Sequence, residues 1–164
     1  MKRNPVPIHE ASEPSADAVG RRRWPAHHPI SSTNEPRDHF VEREGVCFAG
    51  VHLILDFWGG RHLDDLDRVE AALRECVTQC RATLLHIHLH HFAPNGGISG
   101  VAVLAESHIS VHTWPERRFA AFDVFMCGKA RAEEAVSVLM RAFAPQNVQI
   151  TENLRGMSGH ARVR

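Results

Sequence analysis

The 164-residue sequence lacks features that mark several large classes of protein. Lysine plus arginine equals aspartate plus glutamate at 19 each, so no broad basic surface indicates a nucleic-acid or anionic-membrane partner. No apolar run approaches the ~18 residues of a transmembrane helix. The apolar segment of a secretory signal does not follow Arg21, Arg22 and Arg23. We therefore expect a cytoplasmic protein whose partner is a small molecule or another protein.

Cysteine pairs and nucleophile motifs are also missing. The four cysteines form no C-x-x-C pair, which argues against a zinc knuckle and a dense disulfide scaffold and predicts reduced thiols. Cys76 and Cys80 stand four apart on a predicted helix, where burial as small hydrophobes is the simplest interpretation. No G-x-S-x-G elbow or acidic orienter accompanies Ser107, His112 and Cys127, so a Ser/His or Cys/His hydrolase is disfavoured.

The first quarter of the chain differs in composition from the rest. Six of the nine prolines lie in residues 1–40, without sustained apolar periodicity. Such a segment buries too little apolar surface to offset its ordering entropy, so we predict a disordered extension there. The folded domain is predicted at residues 45–156, and residues 157–164 form a basic tail.

Periodicity in the remaining chain predicts strands and two helices. Strands are expected at residues 46–58, 82–92, 98–107, 119–126 and 147–153, with a turn at the PNGG sequence of residues 94–97. Helices are expected from residue 64 to 80 and from 133 to 143, the second facing inward through Val136, Leu139, Met140 and Phe143. We read the order as strand, helix, three strands, helix, strand. It predicts an α+β two-layer sandwich, an antiparallel sheet with both helices on one face. A second copy of the chain could cover the open face.

Histidines alternate with leucine and isoleucine along residues 82–92. Leu85, Ile87 and Leu89 are predicted on one face, and the opposite face carries three imidazoles, those of His86, His88 and His90. Imidazoles two apart on a strand can share a zinc ion, so a metal-binding module is one hypothesis. A solvated or substrate-lining face explains the same alternation without a metal, and we expect no metal.

The densest group of reactive side chains lies in residues 105–116, AESHISVHTWPE. Residues 109–114 alternate with the period of a half-buried strand that Pro115 should end. Ser107 directly follows a carboxylate, that of Glu106. The residues alone leave two interpretations of Ser107 open, a polar strand residue or a nucleophile.

This motif resembles the processing site of the prokaryotic S-adenosylmethionine decarboxylases. The GISG sequence of residues 97–100 resembles the family's turn before that strand, and AAFD at 120–123 with Cys127 and Gly128 resembles the segment bearing its catalytic thiol. The resemblance extends over about residues 45–156 and implies the fold of that family.

The resemblance also implies a mechanism. The chain would be a proenzyme that cleaves itself between Glu106 and Ser107, leaving a covalent pyruvoyl group derived from Ser107, which forms a Schiff base with the substrate amine. By position, His112 would handle the processing proton, Ser99 would assist it, and Cys127 would donate a proton during catalysis. Phe92 and Glu116 would bind substrate. Ser107 and His112 are five apart, however, which places them on opposite faces of an ideal strand unless the chain bends or bulges.

The implied reaction is decarboxylation of S-adenosylmethionine to S-adenosylmethioninamine, which supplies aminopropyl groups for spermidine. The sequence departs from the family at Arg117, Arg118 and Phe119 and at Met126. Pyruvoyl-dependent arginine or ornithine decarboxylation therefore stays open, as does a processing-dead regulatory partner subunit. A homo-oligomer of cleaved protomers is expected, with neither nucleic acid nor membrane as partner.

Overall fold

The computed structural model describes residues 39–157. A six-stranded antiparallel sheet carries two helices, and a short hairpin stands apart from it. The elements are β1 (Val41–Arg43), β2 (Val46–Phe48), β3 (Gly50–Trp58), α1 (Leu66–Gln79), β4 (Leu84–His91), β5 (Ile98–Leu104), β6 (Ser107–Trp114), a 3₁₀ turn (Pro115–Arg117), β7 (Phe119–Cys127), α2 (Glu134–Phe143) and β8 (Asn147–Arg155).

The strands of the main sheet lie in the order β4-β5-β6-β7-β3-β8, each antiparallel to its neighbours. Both helices share one core with the sheet, in which Leu73 of α1 and Phe143 of α2 are buried with Phe57 and Phe122 of the strands. The predicted two-layer α+β sandwich is confirmed. The predicted count of three strands between the helices is wrong, because β4, β5, β6 and β7 all lie there.

The helices form where local sequence signals place them. The Asp65 side chain caps α1 by accepting a hydrogen bond from the Arg68 backbone N–H at 3.0 Å. In α2 the buried residues are Ala135, Val138, Leu139 and Phe143, whereas Met140 is 45% exposed and Val136 only partly buried. The inward placement of Met140 is therefore wrong. The predicted set and the buried set both have helical spacing, and both contain Leu139 and Phe143. Packing against the sheet buries the set that also contains the small Ala135.

Two strand predictions fail for reasons of pairing. The strand expected over residues 46–58 is interrupted at Ala49, because β2 pairs with β1 outside the main sheet while β3 pairs with β7 and β8. In β4 the register shifts between Leu84 and His86, which leaves Leu85 63% exposed instead of inward. Leu84 packs against the core in its place. The last strand is two residues longer than predicted and ends at Arg155.

The expected disordered extension and basic tail lie almost wholly outside the described residues. Strand β1 precedes the predicted domain start at Gly45. No helix within residues 39–157 is long and apolar enough to cross a membrane.

We call the sheet surface away from the helices the open face. Buried residues alternate with exposed ones along the central strands, and the exposed apolar side chains on this face are Ile54, Trp58, Val103 and Trp114. Trp58 and Trp114 both contact Phe119, at ring-centroid distances of 4.3 and 5.3 Å. An aromatic cluster therefore lies at the end of the open face where β6 ends.

Candidate active site

The junction between Glu106 and Ser107 lies in the tight turn that joins β5 to β6. Leu104 pairs with Ser107, so only Ala105 and Glu106 form the turn. On one side the Cys127 backbone N–H donates to the Glu106 carbonyl oxygen at 3.0 Å. On the other side the Glu106 carboxylate accepts two hydrogen bonds from Thr83, from its N–H at 2.8 Å and its hydroxyl at 3.2 Å. The peptide that the sequence singled out is thus held from both sides.

Ser107 has an unusual backbone conformation. Its φ is 139°, a region that residues with a side chain rarely occupy. Holding a residue in such a region costs on the order of 1–3 kcal/mol and persists only where the surroundings enforce it. The strained residue directly follows the Glu106 carbonyl that the Cys127 N–H holds. The hydrogen-bonded carbonyl and the strained residue therefore belong to the same peptide bond.

Cys127 ends β7 on the open face, beside this turn. Ser107 pairs with Met126, and the thiol of Cys127 is partly exposed. The two helix cysteines differ from it: both are buried, as the sequence predicted. Burial raises the pKa of Cys80 to about 11 and raises the pKa of Cys76 further, because the thiolate loses its hydration. Of these three thiols, only that of Cys127 lies at the candidate site.

A second cluster forms at the far end of β6. The Ser99 hydroxyl lies 2.9 Å from Nδ1 of His112, directly across the β5–β6 ladder. A cavity of about 180 Å³ adjoins Ser99, and its wall also includes Phe92, Trp114 and Glu116. Phe92 is 48% exposed and packs edge-on against His90 at 4.4 Å. The structure therefore brings Ser99, His112, Phe92 and Glu116 to one end of the sheet.

These two clusters do not meet within one chain. The register of β6 is continuous against both β5 and β7, so no bulge brings Ser107 and His112 together. Five residues of extended strand separate them by about 17 Å. The bulge considered from the sequence is absent between these residues, and within residues 107–112 the positive φ is that of Ser107.

Sequence reasoning missed a polar network at the centre of the open face. His52 Nε2 lies 3.0 Å from one Asp123 carboxylate oxygen, and the Ser110 hydroxyl donates to the other at 3.3 Å. Arg155 lies 3.1 Å from His52 Nδ1. The sequence signal that could have indicated this network was Asp123, a charged residue inside the apolar sequence FAAFDVFM.

The histidine face of β4 is the part of the structure that the metal-binding hypothesis concerns. His86, His88 and His90 are exposed, and within residues 39–157 no group of three or more His, Cys, Asp or Glu side chains is placed to hold an ion. The metal-binding hypothesis therefore has no ligand set in the part of the chain that the structure describes.

Comparisons with known proteins agree on one family. A family model described as S-adenosylmethionine decarboxylase matches residues 51–156. The S-adenosylmethionine decarboxylase proenzyme of Thermomicrobium roseum is 43% identical over 109 residues, covering 66% of this chain and 94% of the relative. That of Methanococcus vannielii is 44% identical over 111 residues, covering 66% and 90%. The crystal structure of the adenosylmethionine decarboxylase from Aquifex aeolicus superposes with a TM-score of 0.62 at 30% identity, covering 70% of this chain and 97% of that one.

Proposed function

The chain belongs to the S-adenosylmethionine decarboxylase family, and from that premise we propose that it is made as a proenzyme that cleaves itself between Glu106 and Ser107. It is an adenosylmethionine decarboxylase, a carboxy-lyase. The matched region contains both clusters of the candidate site.

The observation that carries the proposal is the strained Ser107 beside a carbonyl held by the Cys127 N–H. In the first step the Ser107 hydroxyl attacks the Glu106 carbonyl carbon and the peptide C–N bond breaks, which leaves an ester and a free amine. Negative charge develops on the Glu106 oxygen during the attack. A backbone donor at 3.0 Å lies at the distance that stabilises such an oxyanion. Cleavage also releases the strain at Ser107.

The second step generates the prosthetic group. A base removes the Ser107 α-proton, the bond between Cβ and Oγ breaks, and Glu106 leaves as a carboxylate carrying the electron pair. The resulting dehydroalanine tautomerises to an imine, and water releases ammonia to leave a pyruvoyl carbonyl at position 107. Glu106 and Ser107 fit this chemistry, because the turn at the start of β6 holds the Glu106 carbonyl, which the first step converts into the ester carbonyl, on a backbone donor.

The pyruvoyl group supplies the electron sink that loss of carbon dioxide from an α-amino acid requires. The Cys127 thiol, beside the same turn, returns a proton to the α-carbon of the product. At the other cluster the half-exposed ring of Phe92 offers a face on which an adenine ring can stack. The Glu116 carboxylate in the cavity accepts hydrogen bonds from substrate hydroxyl or amino groups.

His112 cannot reach Ser107 of its own chain across about 17 Å of strand. We therefore propose that the active site is shared by two copies stacked open face to open face. A twofold axis between the sheets and perpendicular to β6 lays the end of one β6 over the start of the other. Ser99 and His112 of one protomer then approach Ser107 and Cys127 of its partner.

Two further observations support such a dimer. The cavity of about 180 Å³ beside Ser99 is smaller than the roughly 300–1,000 Å³ that enclose a typical small-molecule ligand, so at this end of the sheet one protomer provides only part of a pocket. Ile54, Trp58, Val103 and Trp114 are each more than a third exposed on the open face, and stacking would bury them.

In keeping with this enzyme class we propose that S-adenosylmethionine is converted to S-adenosylmethioninamine, which supplies aminopropyl groups for spermidine. Each named relative is called an S-adenosylmethionine decarboxylase proenzyme, which favours this substrate over arginine or ornithine. A processing-dead regulatory subunit would need no cleavage chemistry, whereas Ser107, His112 and Cys127 are all retained.

Intact-mass spectrometry of purified protein tests the proposal. We expect two fragments divided at Glu106/Ser107, the second beginning with a pyruvoyl group. Reduction with cyanoborohydride in the presence of S-adenosylmethionine should add a covalent mass to that fragment, and arginine and ornithine in parallel should add none. A chain that stays intact on prolonged incubation would exclude self-cleavage and favour the regulatory subunit.

A further inference from the structure

We infer that Thr83 is a positioning residue for self-cleavage, acting through the Glu106 side chain. The inference rests on the proposed cleavage and adds a residue outside the motif of residues 105–116. Thr83 lies in the connection between α1 and β4, on a different segment from the reacting peptide.

Thr83 contacts the turn through every polar group it has. Its N–H and hydroxyl both donate to the Glu106 carboxylate, at 2.8 and 3.2 Å. Its carbonyl accepts a hydrogen bond from the Ala105 N–H at 3.0 Å. Both residues of the two-residue turn are therefore fixed to one residue of a neighbouring segment, and hydrogen bonds to a charged carboxylate are among the stronger ones.

The opposite side of the same peptide is held by Cys127. Its N–H bonds to the Glu106 carbonyl oxygen, so the Glu106 backbone is held from β7 and its side chain from Thr83. If Thr83 releases the side chain, the peptide between Glu106 and Ser107 can rotate and Ser107 can relax from its φ of 139°. Rotation would also take the carbonyl oxygen off the Cys127 N–H, where the attack needs it.

Thr83 holds the peptide through the side-chain carboxylate of Glu106. Its two oxygens accept from separate donors of Thr83, Oε2 from the N–H and Oε1 from the hydroxyl. The arrangement gives a physical reason for a glutamate at the residue before the nucleophile, because the leaving carboxylate in the second step is the main-chain one and not this side chain.

Time courses of cleavage for matched variants test the inference. Thr83→Val removes only the hydroxyl donor and keeps the shape, so we expect cleavage to slow roughly tenfold, while Thr83→Ser should stay within about twofold of wild type. Glu106→Ala removes both side-chain bonds and should slow cleavage on the order of a hundredfold. Because Thr83 acts through Glu106, the double variant that combines Thr83→Val with Glu106→Ala should cleave no more slowly than Glu106→Ala alone.

Two controls separate positioning from general destabilisation. Thr78→Val removes an exposed hydroxyl bonded to the Arg74 carbonyl of α1 and should leave cleavage and thermal midpoint unchanged. Hydroxylamine cleaves esters. It should not accelerate cleavage of Thr83→Val, because this substitution slows the step that forms the ester.

Three results would each overturn the inference. Thr83→Val could cleave at the wild-type rate, or hydroxylamine could cleave it rapidly. The variant that combines Thr83→Val with Glu106→Ala could also be slowed by the product of the two single effects. If the wild-type chain itself stays intact, the proposed self-cleavage fails first, so the two failures are distinguishable.

Discussion

The backbone N–H of Cys127 donates a hydrogen bond to the carbonyl oxygen of Glu106 at 3.0 Å. Cys127 is also the residue whose thiol is proposed to return a proton after decarboxylation. On this proposal one residue serves two reactions through different groups, its main chain during cleavage and its side chain during turnover. The two contributions can be separated by substitution, since a side-chain change leaves the N–H in place.

Replacing Cys127 with alanine should spare self-cleavage and impair turnover. The main-chain donor to Glu106 persists in Cys127→Ala, so the variant should yield both fragments. Loss of a positioned proton donor should lower kcat by about a hundredfold or more. Fragment masses and a carbon dioxide release assay check both parts, with Cys47→Ala as the matched cysteine control. A variant that stays uncleaved while folding normally would contradict the separation of roles.

A site shared by two copies predicts complementation between inactive variants. Ser107→Ala lacks the nucleophile and His112→Ala lacks the processing histidine, so each alone should remain intact. When they are co-expressed with different tags, the His112→Ala chain in mixed dimers should be cleaved, because its partner supplies His112. The Ser107→Ala chain should stay whole. Isolated mixed dimers with two intact chains would rule out the shared site.

Phe92 should contribute to substrate affinity more than to chemistry. Its ring is 48% exposed beside the cavity, so Phe92→Leu removes a stacking surface and keeps an apolar side chain. We expect KM for S-adenosylmethionine to rise about threefold to tenfold with kcat nearly unchanged, the signature of binding shared by ground and transition states. A fall in kcat at unchanged KM would assign Phe92 another role.

The buried thiols of Cys76 in α1 and of Cys80 directly after it should make the protein less stable in alkali. Burial raises the pKa of Cys80 from about 9 to about 11. Below pH 9 the Cys80 thiol is protonated in both the folded and the unfolded chain. Between pH 9 and 11 the thiol releases its proton only in the unfolded chain. The free energy of unfolding should therefore decrease across that window.

Urea denaturation midpoints at pH 8 and 10.5 measure this loss. Cys80→Ala should show a smaller decrease between the two pH values than wild type. Cys47→Ala, at a partly exposed thiol, should retain the wild-type decrease. An equal decrease in Cys80→Ala and wild type would show that burial of Cys80 is not the cause.

Most of the fold was predictable because its signals are local. Helix α1 follows from Asp65 and the apolar spacing after it, and β6 from the alternation that Pro115 ends. The failures at Ala49, Leu85 and Met140 have another origin. Which strand β2 pairs with, where β4 shifts its register and which face of α2 turns inward depend on partners distant in the chain.

The sequence by itself determined the chemical inventory: a serine after a glutamate, a histidine five residues later and a thiol after the next strand, in a motif specific enough to indicate the family. Only the tertiary structure decided what these groups can do together. Strand pairing places the Cys127 N–H on the Glu106 carbonyl and brings Thr83 to the Glu106 side chain. A β6 without a bulge keeps His112 about 17 Å from Ser107. Hydrogen bonds and distances between remote residues depend on sheet register, which arises when the strands assemble and which periodicity along one chain does not encode.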